Sequence, residues 1–272
     1  MDSKGRQYID KIIEELGSKY NIAYIGLYGS QNYGLATENS DYDFIAIVIP
    51  TLDDLIANKS YSTTHNFDFG QVVIKDLRFM VDQWKKGSVN FFEILFTNIF
   101  YINPKFPTMQ WYRDHAEQIA HMNEIATCIA MLGMMHERIK NVDNPTETQC
   151  ADIEKYGYSA KALSNIIRLC SMIEHYRYYH MEELLNPFTV LYKANNPIQF
   201  SRNIAIRIKK HMDVLSKEEV IGLAQSKMSI AETKFNSYKD KLKPFNSTLY
   251  EDMKQIANGI IRWSVEQEIT QP

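Results

Sequence analysis

Tyr8, Ile9, Ile12, Ile13 and Leu16 fall three and four apart with Gly17 behind them, so the chain opens on a helix over residues 4–17. The period then changes. Ile22 to Tyr28 is a short apolar run that ends at Gly29-Ser30, as a buried strand running into a tight turn would. A second strand is expected over Asp43 to Ile49, closed by Pro50, and a third around Gln71 to Ile74, with a helix near 51–58 between them. From Leu77 onward amphipathic patterns take over, near 77–86, 114–141, 152–178, 200–211, 217–241 and 248–266. Asn144-Pro145 breaks the chain between two of these, and Asn186-Pro187 and Asn195-Asn196-Pro197 bracket a loop-like stretch. The pattern predicts an α/β module over 1–105 followed by a helical part over 106–272.

Composition changes this picture little. With 272 residues, 45% of them apolar, there is material for a sizeable core. Thirty basic residues oppose thirty-three acidic ones, so no global charge marks a nucleic-acid partner. Cys128, Cys150 and Cys170 are an odd set without CxxC spacing and read as reduced structural thiols. No stretch approaches a membrane span and the first residues lack the order of a signal peptide, so the expected compartment is the cytoplasm.

The chemistry is concentrated in Gly29-Ser30-Gln31-Asn32-Tyr33-Gly34 and Ser40-Asp41-Tyr42-Asp43-Phe44. Glycine permits close backbone approach at the turn, where amide and hydroxyl groups can donate to phosphate oxygens. A helix starting after the turn would add a dipole favourable to anions. Asp41 and Asp43 open the second strand two residues apart, so alternation turns both to one face, where hard oxygen ligands suit magnesium or manganese. Either half alone reads as structural. Together they point to a divalent-metal phosphate site.

This segment resembles the nucleotidyltransferase signature of the DNA polymerase β superfamily, in the form found in RlaP-like, RNA-repair-associated members. Val73 to Phe79, Lys86 to Phe96, and Gly157 to Leu163 with Ile167-Arg168-Leu169 are similar to further family stretches. The resemblance implies an α/β (α+β) nucleotidyltransferase core with a small mixed, mostly antiparallel sheet, followed by an all-helical C-terminal part. It also implies Mg2+ or Mn2+ on Asp41 and Asp43, and a nucleoside triphosphate held by Gly29 and Ser30. Superfamily members usually carry a third carboxylate on the later strand, where this chain has Gln71, a neutral and poorer magnesium ligand. Asp68 can replace it if a bulge at Gly70 shifts the register, Asp76 is a second substitute, and an incomplete triad is the third reading.

Tyr33, Lys161 and Arg168 complete the candidate nucleotide-binding set. Lys161 and Arg168, seven apart, share a helix face that meets triphosphate or is a solvated charged face. Tyr33 reads as packing before base stacking. Glu93 is a candidate for a direct role or for pairing with Arg78 or Lys161. His115, His121 and His136 fall on one expected helix without metal spacing. His175 to His180 reads as packing before RNA stacking, Met131, Met134 and Met135 as core filler, and Arg202 with Arg207, Lys209 and Lys210 as a weak basic face. The expected reaction moves a nucleoside monophosphate to an acceptor hydroxyl, on an RNA end, a protein or a small molecule. The rival reading is a nucleotide sensor that lost turnover through Gln71.

Overall fold

A computed structural model of the chain describes residues 3–38, 40–142, 150–185, 197–213 and 215–270. Asn144-Pro145, Asn186-Pro187 and Asn195-Asn196 lie outside the described residues. In chain order the elements are α1 (Ser3–Leu16), β1 (Ile22–Tyr28), β2 (Asp43–Val48), α2 (Leu52–Ile56), β3 (Ser62–Phe67), β4 (Gly70–Asp76), α3 (Leu77–Lys85), α4 (Val89–Phe96) and β5 (Phe100–Ile102). There follow α5 (Gln110–Asp114), α6 (Ala116–Ala120), α7 (Glu124–Lys140), α8 (Cys150–Tyr156), α9 (Ala160–His175), α10 (Met181–Leu185), α11 (Pro197–Lys209), α12 (Lys217–Tyr238) and α13 (Ser247–Thr270).

The chain packs into two compact units: residues 1–32, 41–123 and 244–272 form the first, and residues 33–40 and 124–243 the second. These limits differ from a single cut at 105/106 because the chain returns. α13 buries Leu249, Met253, Ala257 and Ile261, one face at i, i+4 spacing, inside the first unit. Tyr112 donates to the Met253 carbonyl at 2.9 Å, and Asn21 donates to the Ser264 hydroxyl at 3.0 Å.

The sheet of the first unit is mixed and mostly antiparallel, in the order β3-β4-β2-β1-β5, with only the β2/β4 pair parallel. Ile25, Leu27, Phe44, Ala46, Val48, Val72 and Ile74 pack with Ile9, Ile12 and Leu16 of α1. Gly26 faces the opposite layer, where a Cβ would stand 2.8 Å from Ile94 of α4, so glycine lets that helix lie close on β1.

Two strands have no counterpart in the apolar pattern. β3 reads Ser-Thr-Thr-His-Asn-Phe and lies at the sheet edge, largely exposed, so it carries no core-facing run. β5 has three residues.

The helix expected over 114–141 is three helices. His115 stacks on Trp111 and its Nδ1 contacts the Trp111 carbonyl at 2.9 Å, where α5 gives way to α6. The break after α6 is tertiary: the Met122 carbonyl accepts from Asn246 just before α13, and the Asn123 side chain donates to the Lys85 carbonyl. His115, His121 and His136 therefore do not share one helix. The stretch 152–178 likewise divides, with Ser159 capping the start of α9.

In the second unit α9 is nearly all buried and packs on α7, α11 and α12. Cys128 and Cys170 are buried free thiols, each pushed up to about 12 by burial, with Glu124 and Glu174 respectively adding to the rise. Among the described residues no helix is long and apolar enough to cross a membrane.

Candidate active site

The two halves of the signature meet at the ends of β1 and β2. Tyr28, the last residue of β1, pairs antiparallel with Asp43, the first of β2, and Gly29-Ser30 follows at once. Gly29 has φ +84, a conformation that side-chain-bearing residues rarely adopt, and a Cβ there would stand 3.6 Å from Asp43 Oδ2. The turn and the second carboxylate are therefore adjacent.

Tyr42 packs on the α1 side of the sheet, its ring edge-on to Tyr8 at 5.1 Å. Asp43, the first residue of β2, follows it half-buried, and Asp41, before the strand, is exposed. Gly70 fixes this approach. Its φ is +145, a Cβ on it would run into the Tyr42 carbonyl oxygen and stand 3.1 Å from Asp41 Cβ, and the Phe69 carbonyl accepts from the Tyr42 amide at 2.7 Å.

The third-carboxylate position resolves toward Gln71. β2 and β4 run parallel with Phe44 beside Val72, which sets Gln71 next to Asp43, and the Gln71 amide donates to Asp43 Oδ1 at 3.2 Å. The bulge that would have favoured Asp68 is absent: β3 and β4 pair regularly from Ser62↔Lys75 to Phe67↔Gly70. Asp68 lies in the turn between them, its side chain 73% exposed and paired with Lys11 at 3.2 Å. Asp76 is fully buried, caps α3 through the Arg78 amide and pairs with the Arg78 guanidinium at 2.6 Å. It is a structural residue.

Among the described residues no three His, Cys, Asp or Glu side chains are grouped as a metal site. Asp43 stands beside Gly29, and Asp41 lies two residues before Asp43. Two suffice for magnesium, which keeps waters and completes its shell with substrate phosphates, so the residues present fit the ion.

Two expectations about the turn are corrected. No helix starts after Gly29-Ser30; residues 30–34 are turns, so no helix dipole acts there. The Gly29 amide, expected to meet phosphate, donates instead to Glu93 Oε2 at 2.8 Å. Glu93, on α4, is wholly buried, and its carbonyl accepts from the Asn32 side chain at 3.2 Å. One carboxylate inside the mostly apolar helix Val89–Phe96 was the sequence signal for a buried partner.

Tyr33, Lys161 and Arg168 belong to the second unit. There the Arg168 guanidinium, 9% exposed, lies over the Tyr33 ring at 3.8 Å, whereas Lys161 is exposed. The basic face is largely occupied: Arg202 donates to the Gly34 carbonyl at 3.2 Å, Lys209 to the Leu35 carbonyl at 2.6 Å, and Arg207 pairs with Asp213 at 2.5 Å. In the His175 to His180 cluster Tyr176 is buried while Tyr178 is 71% exposed. Met131 and Met135 are core residues.

A cavity of about 690 Å³ in the first unit, lined by Phe106, Pro107, Ile256, Ile260 and Trp263, is not at the turn. It adjoins Asn103, whose bonds to Ile22 and Ala23 lie at the opposite end of β1 from Gly29.

Residues 9–89 match the nucleotidyltransferase domain family, a span that includes Gly29, Ser30, Asp41, Asp43 and Gln71. No curated protein matches the chain. Among solved structures the fold is similar to a nucleotidyltransferase-like protein from Exiguobacterium sibiricum 255-15, at 10% identity and TM-score 0.29 over 86% of this chain and 75% of that one. It is also similar to spectinomycin adenyltransferase AAD(9) from Enterococcus faecialis with ATP and spectinomycin, at 12% identity and TM-score 0.40 over 84% and 98%. Such low TM-scores carry no weight for function, so the sequence match is what bears on it. Over residues 9–89 the chain is similar to the nucleotidyltransferase domain family, and that match supports a transferase enzyme.

Proposed function

We propose that the chain transfers a nucleoside monophosphate from a nucleoside triphosphate to an acceptor hydroxyl and releases pyrophosphate. The observation that carries this reading is the adjacency of the Gly29-Ser30 turn to Asp43, with Asp41 two residues before it. Asp41 and Asp43 would hold Mg2+ or Mn2+, which when bound offsets negative charge on the phosphates and leaving group. Ser30 supplies hydroxyl and amide donors to phosphate oxygens, while the Gly29 amide stays on Glu93. The acceptor oxygen forms a bond to the α-phosphorus, the bond to the bridging oxygen breaks, and pyrophosphate leaves with that electron pair. The hydroxyl proton passes to solvent, since neutral Gln71 stands beside Asp43 where the family usually has a carboxylate.

The RlaP-like resemblance favours an RNA end as acceptor, with a protein hydroxyl or small molecule as the other classes. Buried free thiols at Cys128 and Cys170 fit a reducing compartment, the cytoplasm. Gln71 favours one second reading, a sensor that binds nucleotide without turnover. Isothermal titration with Mn2+ and ATP beside a pyrophosphate-release assay over RNA, protein and small-molecule acceptors separates the two. Release supports transfer; binding without release under all acceptors supports the sensor; neither overturns both.

A further inference from the structure

Glu93 is a charged residue tied directly to the turn. Its side chain is 0% exposed on a helix whose other residues are mostly apolar, and it accepts the Gly29 amide at 2.8 Å. The same helix residue holds the far end of the turn through Asn32, whose side chain donates to the Glu93 carbonyl and whose amide donates to the Gly29 carbonyl at 2.9 Å. Glu93 thus clamps both ends of Gly29–Asn32, and the Asp43 carboxylate lies beside Gly29.

We propose that Glu93 is a positioning residue that fixes the Gly29–Asn32 turn through the Gly29 amide. This withdraws that amide from phosphate binding and leaves phosphate contact to Ser30. The inference rests on the transferase reading only for its kinetic consequence. A carboxylate on the Gly29 side of the amide would repel a triphosphate brought to that same N–H, so the substrate is steered to the Ser30 and Asp43 side of the turn. Burial suits this work: a carboxylate excluded from water, on a helix packed against β1, holds its acceptor oxygen in one place.

The test compares the full chain with Glu93→Gln, which keeps an acceptor oxygen, and Glu93→Leu, which removes it without a large change in volume. Nuclear magnetic resonance reads Gly29 amide exchange, and Mn2+ with ATP is titrated into each protein. We expect the amide protected in the unmodified chain and in Glu93→Gln, and exchanging at least about tenfold faster in Glu93→Leu. Nucleotide affinity, and KM where pyrophosphate is released, should weaken about tenfold in Glu93→Leu with kcat within about twofold, and Glu93→Gln should recover most of the loss. A Gly29 amide unprotected in the unmodified chain overturns the proposal, even if Glu93→Leu fails to fold. Equal affinity of unmodified and Glu93→Leu proteins overturns it, as does a fall in kcat at unchanged KM in Glu93→Gln. If the unmodified chain releases no pyrophosphate with any acceptor, the transferase reading fails, while exchange and titration still decide the role of Glu93.

Discussion

The main-chain amide of Gln71 donates to Asp43 Oδ1 at 3.2 Å, so the neutral residue of β4 and the carboxylate of β2 are direct neighbours across a parallel pair. Their side chains leave the sheet on the same face. Replacing Gln71 by aspartate would therefore place a second charge beside Asp43 without removing the amide that orients it. Gln71→Asp is expected to tighten Mn2+ binding by about tenfold, read by titration, and to raise pyrophosphate release. Unchanged Mn2+ affinity would show that position 71 does not face the ion.

Asp41 is exposed and Asp43 half-buried at the entrance of β2, outside the apolar cluster. Asp41→Asn and Asp43→Asn should leave the unfolding midpoint within a few degrees of the unmodified chain. Each should lower transfer by about 100-fold or more, about 2.7 kcal/mol in barrier. Steady-state pyrophosphate release checks this, and full activity in both variants would remove the metal argument.

Gly70 allows Asp41-Tyr42 to pass over the start of β4. Gly70→Ala adds a Cβ that meets the Tyr42 carbonyl, at a φ of +145. The expected loss is about 1–3 kcal/mol of stability, measured by denaturant unfolding, together with weaker Mn2+ binding as Asp41 is displaced. A variant as stable as the unmodified chain would contradict this packing.

Cys128 and Cys170 are held as neutral thiols, pushed up to about 12 from an ordinary value of 9.0. Because the folded state binds these protons more tightly, their contribution to stability is full below the unfolded value and is lost as pH rises from 9.0 toward about 12. In native protein near pH 8 neither should react with a thiol reagent, and both should react after unfolding. Peptide mapping of labelled sites reads the result; rapid native labelling of either would contradict their burial.

β1 and β2 were legible because they are buried runs bounded by Gly29 and Pro50. β3 was not, since an edge strand of serine, threonine and asparagine has no apolar alternation to read. The division into units was hidden for another reason. That residues 33–40 pack with helices more than a hundred residues later, and that α13 returns to the first unit, are long-range facts without local periodicity. The same holds at the turn: a glycine in a phosphate-binding pattern suggests a free amide, and only tertiary packing brings Glu93 to it.

The proposed function requires that the Gly29-Ser30 turn and the Asp41–Asp43 pair form one divalent-metal triphosphate site. Crystals grown with Mn2+ and a non-hydrolysable ATP analogue, measured at the manganese edge, test it most directly. The expected map has an anomalous peak against the carboxylates of Asp41 and Asp43, with phosphate oxygens on Ser30 and the Gly29 amide still on Glu93. Manganese bound elsewhere, or phosphates lodged away from Ser30, would contradict it.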